Sequence, residues 1–353
     1  MKGMILAAGF GTRFRPATFE IPKPLVPLCN KPLIEYAVES LLSAGVTAVV
    51  VNLHHLPEPL ERHLDRRFAG RCTIHFSHES EILGTGGGIR HARRFLEGDE
   101  SFCLVNGDTI QFPPLRELEK ERRDSDAVAA LLLRHPPSGD RFTKVFFEEG
   151  LVTGFGTGSG EPLMFSGSHS ISKDLFELLP DRPFSGITED VYIPLLRSGE
   201  KQLAGLVHDG PWFDIGTPMR YWTASEEVKN LMMKGTLELP RGSMLDQSTG
   251  SLLHEDADVS GNIAKIVAGR VTIAPNADVQ RSILWDGASV ASSAIVESSI
   301  LCSDVEVREG SRIENALVAS VREGIEYPDG TAIAGGLAAV PVDPERALVL
   351  AVD

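Results

Sequence analysis

Between Asn262 and Val318 the sequence carries a short apolar repeat and no long helical pattern. The repeating positions are Ile273, Val279, Leu284, Val290, Val296, Leu301, Val307, Ile313 and Val318. Small and turn-forming residues fill the spaces between them. A spacing of roughly six residues corresponds to one side of a triangular coil, so it predicts a parallel β-helix. An antiparallel sheet with alternating apolar and polar residues is the alternative.

Before residue 235, short apolar runs alternate with helical patterns. A strand is predicted at Met4–Ala8, a helix around Pro32–Ala44, and a second strand over Val46–Leu53, which is apolar as expected for a strand covered on both faces. The alternation continues at 57–68, 72–76, 87–96, 102–105, 114–123 and 127–133. Such a pattern predicts an α/β fold with a doubly wound, mostly parallel sheet, whose ligands bind beyond the carboxyl ends of the strands.

The change of pattern near residue 240 suggests the domain organisation, since 353 residues suit two domains. We expect an α/β domain over 1–235, a connector over 236–260, a β-helix over 261–325 and a C-terminal tail over 326–353. The tail is apolar, so we expect it to pack against the rest of the chain.

Composition narrows the possible partners and location. With 42% hydrophobic and 24% charged residues, the chain is typical of a soluble globular protein, and its net charge of -15 argues against nucleic acid or an anionic membrane as partner. Its four cysteines lack metal-site spacing, and no apolar run approaches the roughly 18 residues of a membrane span. We therefore expect a cytoplasmic protein with reduced thiols.

Two glycines, Gly9 and Gly11, directly follow the first predicted strand. Without Cβ atoms they allow backbone N–H groups to approach an anion. Arg13, Arg15 and Lys23 add cations nearby, which suits a polyphosphate. Gly-x-Gly alone is also typical of a tight turn. The pattern lacks the third glycine of a dinucleotide fingerprint and the Gly-Lys-Ser/Thr of a Walker loop.

This loop resembles the signature of the sugar-1-phosphate nucleotidyltransferases. The resemblance lies in Ala7-Ala8-Gly9-Phe10-Gly11-Thr12-Arg13 and, further on, in Pro22-Lys23-Pro24-Leu25-Val26-Pro27. Three later blocks agree: Leu83-Gly84-Thr85-Gly86-Gly87-Gly88, Val105-Asn106-Gly107-Asp108 and Trp212-Phe213-Asp214-Ile215-Gly216-Thr217-Pro218. The six-residue repeat is similar to the left-handed β-helix that several members carry. Mannose-1-phosphate guanylyltransferases and N-acetylmuramate-1-phosphate uridylyltransferases are the members that the sequence resembles.

The resemblance implies an Mg²⁺-dependent transfer of a nucleotidyl group from an NTP to a sugar 1-phosphate, with release of pyrophosphate. Arg13 would contact the β- and γ-phosphates, Lys23 the α-phosphate and the incoming sugar phosphate, and Asp108 and Asp214 would bind Mg²⁺. Cations suit this chemistry because one anion must attack another, and the ionised sugar phosphate needs no protein base.

The same resemblance implies the binding residues. Those for the nucleotide are Ala7, Ala8, Gly9, Gly11, Thr12, Glu79, Gly84 and Thr85. Those for the sugar are Asn106, Gly107, Glu161, Gly167 and Asp190.

The nucleobase stays open between guanine and uracil. Glu79 lies at a position that reads the base in the family, and a carboxylate can accept the two neighbouring donors of guanine. Against this, the Ala7-Ala8-Gly9 loop and Phe165-Ser166-Gly167 resemble uridylyltransferases. A surface Glu79 without a role in binding is the third interpretation.

One block departs from the family. Many members hold the sugar phosphate with Glu-Lys-Pro, whereas this chain has Gly158-Ser159-Gly160-Glu161-Pro162. The acceptor phosphate must then depend on Lys23 and Mg²⁺, and a sugar contact of Glu161 is in doubt. Asp190 could equally stabilise the start of a helix.

Two other functions are weighed against an active transferase. A catalytically silent regulatory subunit that binds an NDP-sugar would be favoured by loss of Arg13, Lys23, Asp108 or Asp214, and all four are present. An acyltransferase site in the β-helix needs a histidine as base, and the last histidine, His254, precedes the repeat. The β-helix is therefore expected to serve homo-oligomer assembly, so that removing 256–353 would change oligomeric state more than the chemical step.

Overall fold

The computed structural model describes residues 1–137 and 142–352, which fall into two units by their contacts. The first unit contains residues 1–10 and 33–213, and the second contains 11–32 and 214–353. The domains expected from the sequence are continuous ranges of residues. By contacts, however, 11–32 and 214–235 group with the C-terminal half.

A nine-stranded sheet forms the centre of the first unit. Across the sheet its strands are Thr73–His78, Ala48–Leu53, Lys2–Leu6, Ser101–Asn106, Glu161–Ser172, Ala129–Arg134, Leu203–Val207, Leu151–Phe155 and Lys144–Glu148. The first four are mutually parallel, as the apolar runs predict. Met4, Ile5, Val50 and Leu104, on the inner three of these strands, are fully buried.

Strand–helix alternation is confirmed in the first half of this unit. The helices of the unit are Leu33–Ser43, Pro57–Phe68, Gly84–His91, Arg93–Leu96, Leu115–Asp124 and Ile193–Ser198, with shorter helical turns at Lys173–Glu177 and Thr188–Tyr192. Thr109–Gln111 pairs with the short strand Trp212–Asp214, whose first two residues belong to this unit.

The second half of the sheet is mixed, which the alternation did not predict. Glu161–Ser172 runs antiparallel to Ser101–Asn106 and to Ala129–Arg134. Glu149 and Gly150, with φ of 48° and 85°, connect two antiparallel strands. Positive φ at two successive residues is the requirement of a tight hairpin turn, so these two strands form a hairpin. Leu203–Val207, in the same half of the sheet, runs parallel to Ala129–Arg134.

The predicted β-helix is present in the second unit. Successive parallel strands of one sheet begin at Val267, Ile283 and Ile300, so one coil takes 16 or 17 residues. All nine predicted apolar positions, Ile273 to Val318, are buried. The antiparallel alternative is therefore wrong for this stretch. Its short strands are Asp258–Val259, Asn262–Ala264, Val267–Ala268, Thr272–Ile273, Asp278–Gln280, Ile283–Leu284, Ser289–Val290, Ile295–Glu297, Ile300–Leu301, Glu306–Val307, Arg312–Glu314 and Ala316–Ser320.

Both ends of the β-helix are extended by further strands. Within the expected connector, Ser251–His254 pairs in parallel with Val267–Ala268 and antiparallel with Ser243–Asp246. The tail packs as expected. Leu337–Pro341 pairs antiparallel with Ala316–Ser320 and with Ala332–Ala334. Val349–Ala351 pairs antiparallel with Arg312–Glu314. These added strands cover the polar edges of the terminal coils.

The rest of the second unit consists of residues 11–32 and one long helix. Residues 11–32 form helical turns at Thr12–Phe14, Ala17–Phe19 and Lys23–Leu25 and a small pair of strands, Pro27–Leu28 and Lys31–Pro32. The helix is Pro218–Met233, with the Thr217 side chain accepting from the Arg220 N–H at its start. Across residues 1–137 and 142–352, no helix combines the length and apolarity needed to cross a bilayer.

Candidate functional site

Three parallel strands of the first unit end at the same edge of the sheet. Leu6 lies in register with Asn52 on one side and Asn106 on the other. The glycine loop follows Leu6, and Gly107 and Asp108 follow Asn106. The carboxyl edge, where ligands bind in such sheets, therefore carries the residues predicted at these two positions.

A buried hydrogen-bonded chain fixes the start of the loop. The Ala7 N–H donates to Asn52 Oδ1 at 2.7 Å, and Asn52 Nδ2 donates to Glu79 Oε1 at 2.7 Å. The second carboxylate oxygen of Glu79 accepts from the Leu83 N–H at 3.0 Å. Because a carboxylate only accepts, Glu79 holds the Asn52 amide in the orientation that turns its carbonyl toward Ala7.

Glu79 is thus a buried side chain, 5% exposed, and the surface interpretation is wrong. Each of its oxygens already accepts one hydrogen bond from the protein. A direct contact with a nucleobase stays a prediction, while the link from Glu79 through Asn52 to the loop is part of the structure.

The glycine run at 84–88 packs tightly against two neighbouring segments. The N–H groups of Gly86 and Gly87 donate to the Ser185 carbonyl at 2.8 and 3.2 Å. A Cβ on Gly87 would lie 2.3 Å from the Pro183 carbonyl oxygen, and one on Gly88 would lie 2.9 Å from Glu79 Oε1. Close packing therefore accounts for these glycines. Nucleotide contacts of Gly84, which has φ of 71°, and of Thr85 stay predictions.

Gly9 differs from these packed glycines. A Cβ added there would meet no atom of the described residues within 4 Å. Packing within the described part of the chain therefore does not require a glycine at this position, and its small size leaves the backbone accessible to a ligand.

Among the predicted sugar residues, Asn106, Gly107 and Gly167 come together. A Cβ on Gly167 would lie 2.5 Å from Asn106 Nδ2, and one on Gly107 would lie 3.0 Å from the Leu6 carbonyl oxygen. Gly167 has φ of 95°, a conformation that favours glycine. This cluster borders the loop that begins after Leu6.

Glu161 and Asp190 have protein partners of their own. Glu161 is exposed at the first position of its strand, six residues before Gly167, and binds His135 Nε2 at 2.9 Å. Asp190 accepts from the Gly186 N–H at 2.8 Å and pairs with Arg182 at 2.6 Å, and both interactions hold the pKa of Asp190 below its usual value. The bond to Gly186 agrees with a role at the helix start, and sugar contacts of both residues stay predictions.

Within the second unit, Gly11 brings the loop against Lys23. Gly11 has φ of 63°, and a Cβ there would lie 3.1 Å from Lys23 Cβ. Lys23 is only 7% exposed, while Thr12 and Arg13 lie on an exposed helical turn. The tight turn interpretation is thus correct for Gly11, and it is compatible with binding an anion.

Asp214 and Arg13 meet at a second glycine. A Cβ on Gly216 would lie 2.9 Å from Arg13 Nη1 and 3.1 Å from Asp214 Oδ2. Asp214 Oδ2 also accepts from Arg220 Nη1 at 2.5 Å. The second unit therefore gathers a carboxylate and two guanidinium groups around Gly216.

No cluster of three or more His, Cys, Asp or Glu side chains suited to a metal ion occurs in the described ranges. The two predicted ligands lie in different units, with Asp108 half-buried in the first and Asp214 in the second.

Sequence reasoning missed Asn52 and Arg220. Asn52 had a signal, because it is the one polar residue in the run Val49-Val50-Val51-Asn52-Leu53. A buried amide in an otherwise apolar strand requires partners. The sequence carries no signal for the role of Arg220, since a charged residue in the first turns of a helix is usually solvated.

Comparison with known proteins identifies two matching family models. Residues 2–151 match the model described as Nucleotidyl transferase, and residues 249–337 match the one described as GlmU-like, C-terminal hexapeptide. The first covers the loop and the Asn106-Gly107-Asp108 block, and the second covers most of the β-helix.

Curated relatives align with most of the chain. Mannose-1-phosphate guanyltransferase of Hypocrea jecorina is 30% identical over 275 residues, which are 74% of each protein. Probable mannose-1-phosphate guanylyltransferase 2 of Oryza sativa subsp. japonica is 33% identical over 273 residues, 73% of each. Among solved structures, HddC from Yersinia pseudotuberculosis is 24% identical with a TM-score of 0.55, covering 64% of this chain and 99% of that one, which is a likeness of fold.

Proposed function

Because the chain belongs to the sugar-1-phosphate nucleotidyltransferase family, we propose that it transfers a guanylyl group from GTP to mannose 1-phosphate and releases pyrophosphate. One observation supports this choice of substrates: relatives named for this reaction align with about three quarters of the chain. The chemistry is supported by the residues of the glycine loop and of 11–32.

In this proposal Arg13 and Lys23 compensate the charge of the phosphates. Arg13 lies on an exposed turn and can reach the departing pyrophosphate, whereas the nearly buried Lys23 would hold the α-phosphate in a fixed place. Positioned cations stabilise the charge that shifts onto the leaving pyrophosphate. The loop backbone from Ala7 to Gly11 would bind the nucleotide, with Gly9 leaving room for it.

In this proposal Asp108 and Asp214 would be the carboxylate ligands of Mg²⁺. This ion prefers carboxylate oxygens and is usually held by one or two carboxylates together with water and substrate phosphates, so no larger protein cluster is required. When bound, Mg²⁺ would neutralise phosphate charge. Arg220 Nη1 donates to Asp214 Oδ2, and this bond holds the Asp214 carboxylate in place.

Guanine is favoured by the relatives and not by Glu79. Both Glu79 oxygens accept from Asn52 and Leu83, which weakens the argument that a free carboxylate reads two donors of guanine. UTP with N-acetylmuramate 1-phosphate is the second candidate, because Ala7-Ala8-Gly9 and Phe165-Ser166-Gly167 resemble uridylyltransferases.

Pyrophosphate release with a matrix of nucleoside triphosphates and sugar 1-phosphates, in the presence of Mg²⁺, tests the proposal. We expect the highest kcat/KM with GTP and mannose 1-phosphate. A preference for UTP with N-acetylmuramate 1-phosphate would select the second candidate. Release with no pair, together with binding of an NDP-sugar, would favour the regulatory subunit.

A further inference from the structure

The residues that would hold the phosphates are packed with the C-terminal half of the chain. We call residues 11–32, which carry Arg13 and Lys23, the cation loop. By contacts this loop belongs to the unit that contains the helix Pro218–Met233 and the β-helix. Its position therefore depends on residues some 200 to 300 positions further along.

A buried chain of hydrogen bonds runs from the β-helix to the cation loop. Trp285 Nε1 donates to Tyr221 Oη at 2.9 Å, and the Tyr221 hydroxyl donates to the Pro27 carbonyl at 2.5 Å. An indole N–H only donates and a carbonyl only accepts, so the hydroxyl must use both of its functions here. Tyr221 is fully buried and Trp285 is 3% exposed, so water does not replace either partner.

The aromatic rings reinforce this chain. The Tyr221 ring lies edge-on to Phe14 with centroids 5.3 Å apart, and it lies edge-on to Trp285 at 6.2 Å. Phe14 directly follows Arg13, and Pro27 is four residues beyond Lys23. Tyr221 thus contacts the cation loop at the residue that follows Arg13 and again beyond Lys23, so that its two contacts lie on either side of Lys23.

Other contacts hold the same loop to the same half. Asn30 Nδ2 donates to the Ala268 carbonyl of the β-helix at 3.0 Å, and Cys29 Sγ donates to the Ser225 carbonyl at 3.3 Å. From the end of the chain, Tyr327 lies edge-on to Phe19 at 5.6 Å. The loop therefore has fixed contacts at several points along its length.

We infer that the β-helix positions the cations of the active site, with Trp285 and Tyr221 as the positioning residues. The inference rests on the proposed roles of Arg13 and Lys23. Displacing a bound group by about 1 Å can cost on the order of a hundredfold in rate, so a loop that loses this support should lose turnover. The β-helix would then serve the chemical step as well as assembly, in contrast to the expectation from the sequence.

The test compares Tyr221→Phe and Trp285→Phe with a matched control, Trp222→Phe. Trp222 also joins the long helix to the β-helix, since its Nε1 donates to the Arg281 carbonyl at 3.1 Å, but this bond does not involve the cation loop. All three changes keep an aromatic ring and remove one polar group. Turnover, KM for each substrate and the melting temperature are measured for the full-length protein.

We expect kcat to fall about tenfold in Tyr221→Phe and a few-fold in Trp285→Phe, with smaller changes in KM. Trp222→Phe should stay within about twofold of the unchanged protein in kcat, whatever its melting temperature. If Tyr221→Phe fails to fold, Trp285→Phe still tests the inference, because it leaves the Tyr221–Pro27 bond in place.

The inference is overturned if Trp285→Phe and Tyr221→Phe keep full turnover. It is also overturned if the loss of turnover in all three variants is explained by the decrease in their melting temperatures. Failure of the proposed function looks different. In that case the unchanged protein releases no pyrophosphate with any substrate pair, and the variants have no turnover to compare.

Discussion

Substitution of Gly9 tests whether a ligand approaches the loop backbone. Gly9→Ala adds a Cβ that meets no atom within 4 Å among residues 1–137 and 142–352. We expect an unchanged melting temperature and a KM for the NTP raised about tenfold, because the methyl group would occupy the space in which the proposed nucleotide binds. Steady-state kinetics and thermal unfolding measure the two effects.

Gly87→Ala is the matched control for that substitution. Its Cβ would lie 2.3 Å from the Pro183 carbonyl oxygen, so we expect a loss of about 1–3 kcal/mol in the free energy of unfolding. A Gly9→Ala protein that binds NTP normally would contradict a nucleotide site at the loop.

Asn52 offers a second prediction at the scale of single residues. Asn52→Asp keeps the shape of the side chain but places a carboxylate against Glu79, with which Asn52 Nδ2 now bonds at 2.7 Å. We expect a loss of about 3–5 kcal/mol at pH 7, because the new carboxylate is buried beside Glu79 and an uncompensated buried charge destabilises the fold by about this amount. Urea unfolding measures this loss. Equal stability of the two proteins would show that the hydrogen bonds from Glu79 through Asn52 to Ala7 do not hold the loop.

Single residues show what the sequence could predict about the site. Gly9, Gly11 and the Asn106-Gly107-Asp108 block could be predicted as site residues because local backbone needs and a family pattern mark them. Asn52 is marked locally as a polar residue in an apolar strand, but its partner Glu79 is 27 positions away and no local pattern identifies it. Tyr221 has no local signal, because its role comes from Trp285, 64 positions away. Glu79 was found, but its two protein partners were not.

Among the elements, the central strand Glu161–Ser172 carries a buried histidine. His169 is 2% exposed, its Nδ1 lies 2.8 Å from Tyr192 Oη, and burial lowers its pKa to about 3. The unfolded chain binds a proton at this residue below pH 6.5, whereas the folded chain does not. Stability is therefore complete above pH 6.5 and falls as the pH drops toward 3.

His169→Gln removes this titration and keeps a polar group beside Tyr192. Between pH 7 and pH 5 we expect the unchanged protein to lose about 2 kcal/mol more in free energy of unfolding than the variant loses. Urea unfolding at the two pH values measures the difference. Identical losses would mean that His169 is protonated in the folded chain.

Elements were predicted where their pattern is local. The six-residue repeat identified the β-helix because each apolar residue packs onto the neighbouring coil, only 16 or 17 positions away. The parallel half of the sheet was likewise predicted from apolar runs. The mixed half was not, because its strands also alternate with helices along part of the chain, and only the hairpin turn at Glu149–Gly150 marks a change of direction.

For the whole molecule, the division into two units is the least predictable feature. The sequence placed a boundary near residue 235, whereas residues 11–32 pack with the C-terminal half. Aromatic and polar contacts such as Tyr221 with Pro27 link positions almost 200 apart. The sequence gives no periodic signal for contacts of this kind.

Oligomeric state is a further property of the whole molecule. Flat coil faces and a match to a hexapeptide-repeat model support our proposal that the protein assembles through the β-helix. Sedimentation velocity is expected to give a mass that is a multiple of the 38.2 kDa chain. A single-chain mass over the working concentration range would contradict this proposal.

We propose that the cation loop holds the phosphates of an NTP during nucleotidyl transfer. The most direct test is pyrophosphate release from GTP and mannose 1-phosphate by Lys23→Ala, with Lys31→Ala on the same loop as the control. We expect turnover to fall roughly 10²–10³-fold in Lys23→Ala and to change little in the control, because only Lys23 would face the α-phosphate. Turnover close to that of the unchanged protein in a folded Lys23→Ala would contradict the claim.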